Sequence, residues 1–108
     1  MMNTAAEIAR DNDAFRITGT GHGQTLFTAG ASTPVERQLL LQDAVHRFAT
    51  FTEDNDPYGE HDFGKMELLG ETYFWKIDYY ASADGLLGGD PYTESVYRRL
   101  TVMRADEY

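Results

Sequence analysis

The residues with the most chemical potential lie close together. Positions 53–62 read Glu-Asp-Asn-Asp-Pro-Tyr-Gly-Glu-His-Asp, five carboxylates and a histidine with no lysine or arginine among them. Three chemistries are open to such a run. A hard divalent cation takes several oxygens at close range, and Asp54, Asp56 and Glu60 could supply them. The stretch from Asp54 opens like a calcium loop, with acids at its first and third positions and Gly59 at its sixth. It then departs: Tyr58 stands at the fifth position and Lys65 at the twelfth, where a bidentate carboxylate belongs, so an EF-hand is excluded. The second chemistry is acid–base catalysis by His61 with Glu60 and with Asp78 further on, since a histidine flanked by carboxylates can act as a general base. Consecutive residues of a strand point to opposite faces, so a strand that began at His61 would turn it away from both adjacent acids. No nucleophile elbow and no zinc-protease helix motif occurs, so catalysis is the lesser reading. The third chemistry is recognition. Ionised carboxylates beside exposed tyrosines suit docking on a basic protein surface, and Glu53, Asp54, Asp56, Tyr58, Glu60 and Asp62 form the expected binding surface.

The charge distribution supports recognition. The formal net charge is −9, from 18 acids against nine lysines and arginines. Residues 53–62 carry −5 of it. A direct nucleic-acid binder needs a basic footprint, and only the short group Arg98, Arg99 and Arg104 approaches one. The same excess of acid argues against an anionic membrane surface, and no apolar run is long enough for a membrane span. With no cysteine, disulfides and thiolate chemistry are impossible, and a cytoplasmic location is expected. Gly19, Gly21 and Gly23 lack the spacing and the preceding strand of a phosphate loop and read as a turn.

The elements that must hold these residues follow from local patterns. Thr4 and Glu7 form a capping box for a helix over 5–18, with Gly19 as its stop. Gln24–Thr28 reads as a strand and 30–33 as a loop. Thr33 to Glu36 looks like a second capping box, with Pro34 in the first turn of a helix over 34–51 whose apolar positions include Leu41, Val45 and Phe48. Residues 52–61 form a loop in which Asp and Asn side chains can cap backbone N–H groups. Phe63–Leu69 and Thr72–Tyr80 are strands joined at Gly70-Glu71, an order favouring a type II′ turn. In the second of them Tyr73, Trp75, Ile77 and Tyr79 make one apolar face, and Phe74, Lys76, Asp78 and Tyr80 make a wetter one. Residues 81–93 are a loop, and 95–103 is read as a strand in preference to a helix. The order α-β-α-β-β-β over one domain, 1–108, implies an α+β fold: two helices packed on one face of an antiparallel sheet of about four strands.

The run Phe51 to Gly64, the strand Tyr73–Tyr80, the late Leu100-Thr101-Val102-Met103 and the opening Ile8-Ala9-Arg10 with Asn12–Arg16 together resemble a small bacterial family, domain of unknown function 3768. The resemblance covers nearly the whole chain and brings no assigned activity. It implies a bacterial intracellular protein of plasmid- and phage-rich genomes, a setting compatible with conflict between mobile elements and host defence. The resulting expectation is a non-catalytic acidic protein that docks on a basic protein partner, as a DNA-mimic-like inhibitor of a defence system of the anti-CRISPR or anti-restriction type, with no cofactor. The alternatives are a small metal-assisted hydrolase using the Asp/Glu/His cluster, and a structural or dimerising module that pairs through a free sheet edge as a homodimer.

Overall fold

The computed structural model describes residues 2–108. Helix α1 spans Ala5–Thr18. Its capping box forms as the sequence predicts: the Thr4 side chain accepts from the Glu7 amide, and Glu7 reaches back to the Thr4 amide. Gly19 closes the helix in the left-handed region at φ 76°. Strand β1 is Gly23–Phe27, followed by a short helix α2 at Ala29–Ser32 and by α3 at Val35–Arg47. Strands β2 (Phe63–Leu68), β3 (Glu71–Tyr80) and β4 (Tyr97–Arg104) follow, and a 3₁₀ turn at Ala105–Glu107 ends the order.

The four strands form one sheet in the order β1-β4-β3-β2. The fold is α+β, but the sheet is mixed. β2–β3 and β3–β4 are antiparallel, whereas β1 lies parallel to β4 with Gly23 opposite Arg98 and Phe27 opposite Val102. This corrects the expected antiparallel sheet. Composition gives a strand no direction, and the chain between β1 and β4 is long enough to return on either sense. Gly23 is also more than a turn residue. A Cβ there would run into the Arg98 carbonyl and come within 2.6 Å of the Phe15 ring, so glycine lets α1 sit down on the β1–β4 seam.

Phe15 of α1, Ala31 of α2, and Leu41 and Val45 of α3 meet Met66, Tyr73, Trp75, Ile77, Leu100 and Val102 in the main core. The odd-numbered face of β3 is thus the core face. The covering is not cleanly one-sided, because Tyr108 packs edge-on against Phe63 and Phe74 of the even-numbered row.

Helix α3 departs from its expected bounds at both ends. Thr33 closes α2 instead of capping α3, and Pro34 holds the N-cap position with no side-chain bond. The helix stops at Arg47, not residue 51, because Phe48 and Phe51 leave the helical path to pack edge-on around Trp75, at ring-centre distances of 5.4 and 6.2 Å.

The β2–β3 hairpin turns at Leu69-Gly70, one residue earlier than expected. Leu68 pairs with Glu71, and both turn residues have positive φ, 54° and 78°. Positive φ at both positions marks type I′, not II′. Leucine carries the left-handed penalty in this exposed turn. Leu69→Asn is therefore expected to stabilise the protein by about 1 kcal/mol, read as a rise in the urea unfolding midpoint; a fall would show that the leucine side chain contributes more than its backbone costs.

Candidate functional site

The acidic loop between α3 and β2 is anchored from below by α1. Ile8, Asn12 and Phe15 occupy one helical stripe, and Arg16 adjoins it, so two polar side chains sit where apolar ones would be expected. Asn12 is 0% exposed and Arg16 3%. Buried polar groups are tolerated when bonded: the Asn12 amide is fully bonded, and Arg16 is bonded through both Nη atoms while its Nε has no partner among the described residues. The Asn12 amide nitrogen donates to the Glu60 carbonyl at 2.9 Å and to the Tyr79 hydroxyl at 2.8 Å, while its oxygen accepts from Arg98 Nε at 2.6 Å. That uses both amide protons and the oxygen. Arg16 donates to the Val45 carbonyl at 2.7 Å and to Asp13 at 3.2 Å, and its guanidinium lies over the rings of Trp75 and Phe51.

Asp13 carries the connection to the loop. His61 Nδ1 lies 3.0 Å from each Asp13 oxygen, and Nε2 lies 3.6 Å from Asp56 Oδ2. An ionised carboxylate can only accept, which assigns the bonding proton to Nδ1. The imidazole stacks on Phe51 with ring centres 3.8 Å apart and planes 2° from parallel. His61 has φ 56°, a left-handed conformation uncommon for a residue with a side chain. β2 has not begun there, so the alternation that would turn His61 from its neighbours does not apply. It faces two carboxylates, though neither is Glu60 or Asp62.

The loop is also tied internally, as Asp and Asn capping predicts. Thr52 and Asn55 bond each other's backbone amides through their side chains, and Asp56 Oδ1 accepts from the Glu60 and His61 amides, both at 3.1 Å. Glu60 accepts a hydrogen bond from the Tyr92 hydroxyl, and residues 91–92 are in turn held by Asn3 through their carbonyls.

The six residues expected to form the binding surface therefore divide. Glu53, Asp54 and Tyr58 point to solvent, Tyr58 with 78% exposure. Glu60 and Asp62 are half-buried, and the Asp56 side chain is only 6% exposed. Burial and the charges of Glu60 and Asp56 push the Asp62 carboxyl up to about 6. The bond to Glu60 raises the Tyr92 hydroxyl to about 12, and burial pushes the Tyr79 hydroxyl up as well.

The alternative catalytic and metal sets are not assembled. Asp78 pairs with Lys76 at 3.2 Å on the even-numbered row of β3, whereas Glu60 and His61 have the partners described above. Asp54, Asp56 and Glu60 do not converge, and among the described residues no three His, Asp or Glu side chains form a metal-ligand group. Asp54, Asp56, Glu60 and His61 line none of the main clefts, and Asp78 lines one on the other face of the sheet, apart from them. Among the described residues no helix is long and apolar enough to cross a membrane.

Asn12, Asp13, Arg16, Tyr79, Tyr92 and Arg98 enter the site without having been singled out for it. The first and third carried a readable signal, since polar residues inside an apolar helical stripe announce a buried network.

Two outcomes test the site. Asn12→Ala strands Arg98, the Tyr79 hydroxyl and the Glu60 carbonyl, and should cost about 3 kcal/mol in urea unfolding. For Asp62, the folded-state value lies above the ordinary 3.8, so the folded protein binds the extra proton. Stability is then highest below about pH 4 as far as this group is concerned, and its contribution is lost as pH rises through about 6. Asp62→Asn should raise the melting temperature at pH 7.5 and change it far less at pH 4; equal shifts at both would refute the assignment.

Neither a curated protein nor a solved structure matches the chain. The family described as protein of unknown function (DUF3768) matches residues 24–107, which takes in the acidic loop, Tyr79, Tyr92 and Arg98 and leaves Asn12, Asp13 and Arg16 outside. Because that match spans well over half of its length, the chain belongs to this family.

Proposed function

We propose that the protein is a non-catalytic binding protein that docks through its acidic loop on a basic surface of another protein. One observation carries this reading: Tyr58 stands almost fully exposed at the tip of a loop whose base is fixed by the Asp13–His61–Asp56 contacts, with exposed Glu53 and Asp54 beside it. A tyrosine supplies rigid apolar area with a hydrogen-bonding end at small entropic cost, and a loop ordered before binding loses little freedom in the complex. The flanking carboxylates add attraction to a basic partner and rejection of nucleic acid.

The finer reading is an inhibitor of a bacterial defence enzyme that occupies a nucleic-acid-binding groove. Such a groove is a basic surface, and an acidic loop competes for it without itself contacting DNA. The outward acids number fewer than composition suggests, so the anchor in this reading is Tyr58, with Glu53 and Asp54 steering.

Immobilised protein should retain a basic bacterial protein from lysate, with retention weakening as salt rises. The variant Glu53→Lys/Asp54→Lys/Tyr58→Ala should lose at least about tenfold in affinity for the captured protein, since an interface tyrosine alone is commonly worth more than 1 kcal/mol. All three residues are exposed, so folding should survive. Undiminished capture by the variant would overturn the reading.

A further inference from the structure

The even-numbered face of the sheet holds a second feature, remote in character from the acidic loop. Strand pairing sets Leu26, Thr101 and Lys76 in one row across β1, β4 and β3, and Arg99 and Asp78 in the next. A groove of about 470 Å³ runs over these rows. Leu26, Met103 and Tyr108 line its apolar part, and Lys76, Asp78 and Arg99 its polar part.

The groove's two cations and two carboxylates balance in number but are not paired one to one. Lys76 pairs with Asp78 at 3.2 Å. Glu107 is engaged by the Thr28 hydroxyl and by the amides of Gly30 and Arg104. Arg99 is left over. It stands directly across the strand from Asp78, yet it forms no ion pair among the described residues, and its buried Nε has no hydrogen-bond partner there. Arg98 and Arg99 are the half-buried arginines that form no ion pair among the described residues, and of the two only Arg98 has a side-chain acceptor there, so the cost of desolvating Arg99 is the less offset. The side chain is nonetheless held in place. Its guanidinium stacks on Tyr80 at 4.6 Å, and the backbone turn at Gly85 closes over its end, where a Cβ would stand 2.6 Å from Nη2.

We propose that this groove binds a small organic monocarboxylate with a flat apolar body. The carboxylate takes the unspent donors of Arg99, whose planar fork matches two carboxylate oxygens. The apolar body lies toward Leu26, Met103 and Tyr108. The lining mixes an apolar part, which also takes in the Tyr80 ring, with fixed polar groups, and the volume falls in the usual range of a small-molecule site. The flanking carboxylates of Asp78 and Glu107 set the charge limit: one negative charge is balanced by Arg99, and a second is repelled.

The test titrates the ¹⁵N-labelled full chain with 2-naphthoate, with its neutral counterpart 2-naphthamide and with inorganic phosphate, following backbone amide shifts. Naphthoate should move the amides of Leu26, Arg99 and Thr101 to saturation. Naphthamide should bind at least about tenfold more weakly, the loss expected when a charge-assisted pair is removed, and phosphate should not compete. Arg99→Gln should remove the preference for the acid over the amide and leave the rest of the spectrum in place. If that variant fails to fold, Thr101→Trp, which fills the groove and keeps Arg99, must abolish saturable binding. Equal affinity for acid and amide, undiminished naphthoate binding in Arg99→Gln or Thr101→Trp, effective competition by phosphate, or no saturable shift with naphthoate would each overturn the proposal.

Discussion

Two polar side chains on the buried stripe of α1 govern the position of everything around the acidic loop. Asn12 and Arg16 lie where the helix meets the sheet, out of reach of water. Each donor or acceptor left unpaired there would cost about 1–3 kcal/mol. Their partners come from four separate places in the chain: the Val45 carbonyl at the end of α3, the Glu60 carbonyl in the loop, Tyr79 on β3 and Arg98 on β4. Satisfying one helix therefore fixes the relative placement of a loop, a helix end and two strands. The loop has little apolar surface of its own to hold it. It is held because the helix needs its carbonyl at Glu60 and its imidazole at His61 as much as it needs the helix.

The same constraint sorts the carboxylates. A loop drawn down at residues 56–61 must turn some acids inward, and those acids need donors. Asp56 takes backbone amides and Glu60 takes a tyrosine hydroxyl, whereas Asp62 shares the crowded space and holds its proton more tightly. Glu53 and Asp54 precede the anchored stretch and Tyr58 stands between its tied ends, so these three face solvent. A net charge counted along a sequence treats all five acids alike. The folded loop spends three on its own architecture and presents two.

Which features were readable in the chain depended on the range of the forces involved. The first helix is set by contacts three or four residues apart, and the Thr4–Glu7 box with Gly19 places both ends. The alternation of β3 is equally local, and Tyr73, Trp75 and Ile77 face the core as the period of two requires. The end of α3 was not readable, because Phe48 and Phe51 are good helix-compatible residues until Trp75, far along the chain, offers them a better contact. The parallel pairing of β1 had no local signature at all. The backbone of His61 belongs to the same class: nothing in a Glu-His-Asp triplet announces a left-handed residue, and the conformation is sustained by Asp13 and Phe51, which reach it from two other elements. The family's central run was legible because it is unusual as a string, whereas its partners on α1 were legible only as misfits in a helical stripe.

The neighbours Arg98 and Arg99 show how the sheet turns one charge pattern into two environments. Strand alternation sends them to opposite faces. Arg98 goes to the side of α1, where Asn12 receives its Nε and the Tyr79 ring lies beside it. Arg99 goes to the other side, where a ring is supplied and an acceptor is not. Both guanidinium groups are oriented by a tyrosine from β3, at positions 79 and 80, so the aromatic support is the same and the polar support differs. One arginine is thus tied through its Nε into the network that holds α1 to the sheet, and its neighbour is braced by a ring with no acceptor for its Nε among the described residues.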